Sequence, residues 1–166
     1  MIQQPLTIRH PEWRDLPQLL QLAHELHLES WYGHIELSEN RVATFFVDQI
    51  LNSETNFCRV AVRDGIIIGA VAGTRIRFWF SERHGTFDNF LYVIPQERGT
   101  MLAFRLWKMF REWSASSGAV ELTHGVGTAI NSPRADRFFR GVGMTHVGGI
   151  YKLKLSDGPL CVTAAE

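Results

Sequence analysis

The run "FCRVAVRDGIIIGAVAGTRIRFWF", residues 57–80, constrains the fold most tightly. Two apolar, β-branched stretches flank Asp64-Gly65, a dipeptide that readily takes the positive φ values of a two-residue hairpin turn. After the loop "SERHGT" comes "FDNFLYVI", which reads as a third strand and stops at Pro95. The middle of the chain is therefore predicted to be an antiparallel block.

Helical periods lie on both sides of that block. In "DLPQLLQLAHEL", Leu16, Leu19, Leu20, Ala23 and Leu26 share a face, with Asp15 as the expected cap and Pro17 in the first turn. Val42, Phe45, Phe46 and Ile50 mark a second helix after Ser38. A third is predicted from about Gly99 to Ser116, with Leu102, Leu106, Met109, Phe110 and Trp113 on one face. Ser132-Pro133 opens a short fourth helix that carries Phe138 and Phe139. "LTIRH", "AVELTHGVG" and "THVGGIYKLKL" read as strands. The predicted class is α/β (α+β): a mixed, mostly antiparallel sheet of six to seven strands flanked by helices. Residues 1–155 are expected to form one domain and residues 156–166 a tail.

Charge narrows the partners. Seventeen basic and seventeen acidic residues cancel, which removes the warrant for strong nucleic-acid or anionic-membrane binding. The longest apolar run is too short to span a bilayer. Cys58 and Cys161 match no metal or redox spacing, and a disulfide between them is not expected, so the predicted setting is cytoplasmic. The seven histidines are scattered and suggest no metal site.

The candidate chemistry begins where the third strand ends. In "VIPQERGTMLAFRL" an Arg-Gly pair precedes an amphipathic helix, whose leading N–H groups and dipole favour an anion. Asp88 and His124 sit in or beside predicted strands as candidate acid–base groups, and Glu121 is read as facing solvent.

With those elements in place, "LYVIPQERGTMLAFRLW" and "NSPRADRFFRGVGM" resemble the GCN5-related N-acetyltransferase family. Val93, Pro95, Arg98, Gly99 and Ala103 match its Val-x-Pro-x-x-Arg-Gly-x-Gly-x-Gly/Ala pattern; Met101 departs from it. Phe139, Gly143 and Met144 stand where the family commonly reads Tyr-x-x-x-Gly-Phe. The resemblance looks closest to the subset often encoded by phages and prophages.

The resemblance implies acetyl-coenzyme A as co-substrate, with no metal, and a direct acetyl transfer to a primary amine in a ternary complex. It implies a pyrophosphate held on the backbone of Arg98, Gly99, Thr100, Met101, Leu102 and Ala103. Leu91, Tyr92 and Val93 would take the pantetheine arm, joined by Asn131 and Phe139, with the Val93 N–H as oxyanion donor. Asp88, His124 and Tyr92 are the catalytic candidates; where Phe139 lacks a hydroxyl, Tyr92, Tyr151 or water would protonate the thiolate. The acceptor, a small molecule or a protein amine, is expected between Trp31, Tyr32 and His34 on one side and Trp79 and Asp88 on the other. A homodimer is one assembly open to such a chain. The rival reading is an inactive protein of the same fold, serving as a coenzyme A sensor or an interaction module.

Overall fold

The Asp64-Gly65 turn forms as its residue types require. In the computed structural model, which describes residues 5–130 and 132–154, both residues have positive φ, 51° and 77°. They join β2 (Asn56–Arg63) to β3 (Ile66–Arg77), and β3 returns through Phe78–Arg83 into β4 (His84–Val93). β1 (Thr7–Arg9) pairs with β2, and the short β5 (Leu122–Thr123) pairs with β4. The order across the sheet is β1-β2-β3-β4-β5, antiparallel except for the parallel β4–β5 pair.

Helices cover both faces. α1 (Leu16–Glu29) and α2 (Glu39–Leu51) bury Leu19, Leu22 and Phe46 against Val60, Ala70, Phe90 and Tyr92. α3 (Leu102–Ser116) lies on the other face and buries Leu106 and Phe110 against Phe57, Val71 and Val93. Strand residues thus alternate between two cores, as a sheet buried on both faces demands.

The chain divides into two compact units, Met1–Ile130 and Asn131–Glu166. In the second, α4 (Ser132–Gly141) carries an Arg140–Asp136 ion pair at 2.8 Å and an edge-to-face Phe138–Phe139 contact. Gly143 at φ 90° ends it, with the Met144 N–H returning to the Phe139 carbonyl.

Several expectations need correction. The described residues form five strands, not six to seven. The 145–154 segment alternates in sequence yet forms no strand; Val147, Ile150, Tyr151 and Leu153 stay exposed. Alternation creates a strand only where a ladder partner exists, and Gly148-Gly149 lowers the propensity further. α3 starts at Leu102 rather than about Gly99, because Gly99 has φ 93°, outside helical space. Asp15 precedes α1 but makes no cap bond. Its buried carboxylate instead accepts from Arg9 at 2.6 and 2.9 Å and from the Glu12 N–H at 2.7 Å. Asn131, Cys161 and the 156–166 tail lie outside the described residues.

Candidate active site

The loop from β4 to α3 is built to leave backbone donors open. A single 3-10 turn, Pro95–Glu97, precedes Arg98, and Gly99 then takes a positive φ that a side chain would strain. Thr100 stabilises the helix start: its hydroxyl donates to the Glu97 carbonyl at 2.8 Å and accepts from the Leu102 N–H at 3.2 Å. Met101 is the residue before the first helical turn. Its carbonyl accepts from the Arg105 N–H, while its side chain is 60% exposed and fills no packed space. The Gly99, Thr100 and Met101 N–H groups donate to no acceptor among the described residues. Added to the positive end of the α3 dipole, they form an anion-receptive corner. Leu102 is buried beneath it and Ala103 half-buried.

The Arg98 side chain turns back onto the fold. Its Nε donates to the Val93 carbonyl at 2.9 Å, and its Nη2 lies 2.8 Å from Glu29 Oε2. The guanidinium also sits over the Tyr92 ring, 5.2 Å from its centroid, while the Tyr92 hydroxyl donates to Glu29. Burial, and then the bond to Glu29, raise the Tyr92 pKa above the ordinary phenol value. Glu29, at the end of α1, had no sequence signal; its partner is 69 residues away. Glu97 is likewise paired, with Arg63. The Glu29 and Glu97 carboxylates are thus each paired with an arginine, which lessens the repulsion that an incoming anion would meet.

β4 supplies a second open edge through a bulge. Ala72 faces Phe90 and Gly73 faces Asp88, so Asn89 is the extra residue. The Ile94 N–H bonds the Ile68 carbonyl. In an antiparallel ladder this makes Phe90, Tyr92 and Ile94 the residues bonded to β3, and turns the backbone groups of Leu91 and Val93 to the opposite edge. On that edge β4 pairs with β5 only at Thr86↔Leu122 and Phe87↔Thr123. Beyond Phe87, no described strand covers Leu91–Val93.

Asp88 and His124 do meet. His124 Nδ1 lies 2.9 Å from Asp88 Oδ2, and Asp88 Oδ1 accepts from the Gly125 N–H at 2.8 Å. Their side chains are nearly closed to solvent, at 10% and 1% exposure for Asp88 and His124. The imidazole packs edge-on against Phe110 of α3. The pair therefore ties the segment after β5 to β4, on the α3 face of the sheet.

The other face holds a cavity of about 480 Å³ between α1, α2 and β4. Leu26, Tyr32, Phe45, Phe90, Asn89 and Arg41 contribute to its wall. Of the residues expected on the acceptor side, Tyr32 lines it. Trp31, His34, Trp79 and Asp88 do not. The Trp31 N–H instead bonds the Thr128 carbonyl at 2.7 Å, and His34 Nδ1 donates to the Trp31 carbonyl at 2.7 Å within its own turn. Trp79 is 95% exposed at the β3–β4 turn. Asn89 and Phe45, not among the residues expected on the acceptor side, reach this wall through the β4 bulge and the packed face of α2.

A model of the acetyltransferase (GNAT) family matches residues 16–144. The chain belongs to that family. Among solved structures, the GNAT fold recurs in AAC(6')-Iy, captured with the bisubstrate analogue CoA-S-monomethyl-acetylneamine: TM-score 0.68, 17% identity, 91% of this chain and 98% of that one. A predicted acetyltransferase from Clostridium acetobutylicum, solved with acetyl-CoA, gives TM-score 0.71 at 16% identity, covering 91% and 97%. An acetyltransferase from Trypanosoma brucei gives 0.69 at 21% identity, covering 91% and 100%. Comparison with curated sequences found no match.

The GNAT chain has other features that bear on chemistry. Cys58 is buried, and desolvation pushes its thiol up to about 12, so it is no nucleophile at neutral pH. Among the described residues no cluster of three His, Cys, Asp or Glu could hold a metal ion, and no helix is long and apolar enough to cross a membrane.

Proposed function

We propose that this chain transfers an acetyl group from acetyl-coenzyme A to a primary amine in one direct step, with residues 1–155 acting as a single acyltransferase domain. The observation that carries the reading is the uncovered β4 edge, Leu91–Val93, running directly into open N–H groups at Gly99–Met101. An extended arm with amide groups fits the first, and a diphosphate fits the second.

In this reading the Gly99, Thr100 and Met101 N–H groups bind the diphosphate. Leu91 and Val93 align the arm as an added strand, and the Val93 N–H receives the developing oxyanion. When bound, the co-substrate supplies a thioester with a good leaving group. The acceptor nitrogen forms the C–N bond as the C–S bond breaks; its surplus proton leaves to water in the cavity, and the departing sulfur is protonated in turn. Asp88 and His124 act as positioning residues, because both functional ends of Asp88 are engaged by the 124–125 segment. Tyr92 positions Glu29 and Arg98 through its hydroxyl and ring.

The test is thermal stabilisation by acetyl-coenzyme A followed by free-thiol release over an amine panel. A ligand of the folded state must raise stability by mass action, so absence of any shift at millimolar concentration would sink the proposal. Stabilisation with no thiol release on any amine would favour the sensor reading instead.

A further inference from the structure

The charge of the α1–α2–β4 cavity selects among amines. Its wall is apolar over most of its extent, through Leu26, Val42, Phe45, Phe46 and Phe90. Among the described residues no aspartate or glutamate lines it, and Arg41, on its exposed side, is the one fixed charge. Among the described residues the Arg41 guanidinium makes neither a hydrogen bond nor an ion pair; only its backbone N–H is engaged, by Ser38. Of the carboxylates on the surrounding elements, Glu29 is committed to Arg98 and Tyr92, Asp88 is held on the opposite face of the sheet by His124 and Gly125, and Glu25, Glu36 and Glu39 are not part of the wall.

A polycationic acceptor gains nothing from such a wall. It would exchange water for apolar surface beside a like charge, with no carboxylate in compensation. The reverse holds for a molecule with one amine, an apolar body and an anionic end. Its body removes the surfaces of Phe45 and Phe90 from water, and its carboxylate meets a planar guanidinium suited to bidentate pairing. Asn89, raised by the bulge into the same wall, offers a carbonyl oxygen to the amine next to the open β4 edge.

We propose that the acceptor is a small amino acid-like monoamine, with an aromatic or branched apolar body and a carboxylate received by Arg41. This rests on the acyltransferase reading above. It also separates the chain from the aminoglycoside-modifying protein whose fold it shares. The amine nitrogen takes the acetyl group to form an amide and gives up one proton, while the carboxylate is unchanged.

The experiment has two readouts. Thermal stabilisation by acetyl-coenzyme A tests the underlying reading without any acceptor. Thiol release is then compared for L-phenylalanine and L-leucine, their decarboxylated amines 2-phenylethylamine and isoamylamine, and neamine. We expect kcat/KM for at least one amino acid to exceed that of its decarboxylated partner by about tenfold or more, the gain from a charge-assisted bidentate pair with Arg41. Arg41→Gln should bring the two within about threefold, chiefly through KM, and leave the acetyl-coenzyme A shift unchanged. Equal or better turnover of the decarboxylated amines or neamine would overturn the acceptor class while keeping the acyltransferase. So would stabilisation by acetyl-coenzyme A with no turnover of either amino acid, or a preference that survives in Arg41→Gln. Loss of the shift in the unmodified protein would overturn the underlying reading instead.

Discussion

Arg98 and Glu29 join the β4–α3 loop to the end of α1: Nη2 of one lies 2.8 Å from Oε2 of the other. The same guanidinium holds the Val93 carbonyl through Nε and covers the Tyr92 ring. One arginine therefore sets the end of β4, the following loop and the end of α1 relative to each other. Arg98→Ala should cost about 1–2 kcal/mol of stability, through charge-assisted bonds lost from a half-buried position. Urea unfolding should show a lower midpoint with an unchanged slope. Acetyl-coenzyme A binding should weaken without vanishing, since backbone groups make the proposed grip; complete loss would assign the phosphate contact to the guanidinium itself.

Gly99 separates conformational cost from ligand cost. At φ 93° a methyl group strains the backbone, so Gly99→Ala should lose about 1 kcal/mol and shift the loop N–H groups. Gly99→Glu adds bulk and charge at the proposed diphosphate site. It should abolish thermal stabilisation by acetyl-coenzyme A while the ligand-free protein still unfolds cooperatively. An undiminished shift in Gly99→Glu would place the cofactor elsewhere.

These two residues also show what was legible beforehand. Arg98-Gly99 stood out because local chemistry at a strand-to-helix turn leaves a local signature. The helix start did not: Gly99 and Thr100 look like a first turn, and only the positive φ and the Thr100 bonds move it to Leu102. The bulge at Asn89 turns Leu91 and Val93 outward, but a polar pair inside "FDNFLYVI" does not say which residue is extra. Glu29 and Arg41 carry no motif at all, because their roles depend on elements brought together from distant parts of the chain. The terminal alternation predicted strands for want of any sequence information about a ladder partner.

Acid should expose the Arg9–Asp15 pair. The hydrogen bond from Arg9, then that from the Glu12 N–H, hold the Asp15 pKa below the ordinary carboxylate value against the opposing effect of burial. A carboxylate with a depressed folded-state pKa contributes its full stability above the unfolded value of about 3.9. That contribution is lost as pH falls through the lower folded value. Asp15→Asn should therefore be less stable than the parent by a constant margin from pH 7 to about pH 5, and the margin should shrink below about pH 4. A margin independent of pH down to 2 would mean that shape, not charge, explains the buried position of Asp15.

Asp88 offers the sharpest division between a base and a positioning group. Asparagine at 88 keeps an oxygen for the Gly125 N–H but loses the charge beside His124, whereas alanine removes both. A general base contributes about a hundredfold or more to rate, so its loss would show at once in Asp88→Asn with stability intact. The geometry favours the other outcome. Both oxygens are engaged on the α3 face, while the cavity is lined by Asn89 and Phe90 on the α1–α2 face. Asp88→Asn should keep turnover within about fivefold and preserve the shape of the pH–rate profile. Asp88→Ala should lose about 1–3 kcal/mol, because the Gly125 N–H and the enclosed His124 imidazole lose a charged acceptor. A hundredfold rate loss in Asp88→Asn, with an altered pH profile and an unchanged urea midpoint, would return Asp88 to the role of base.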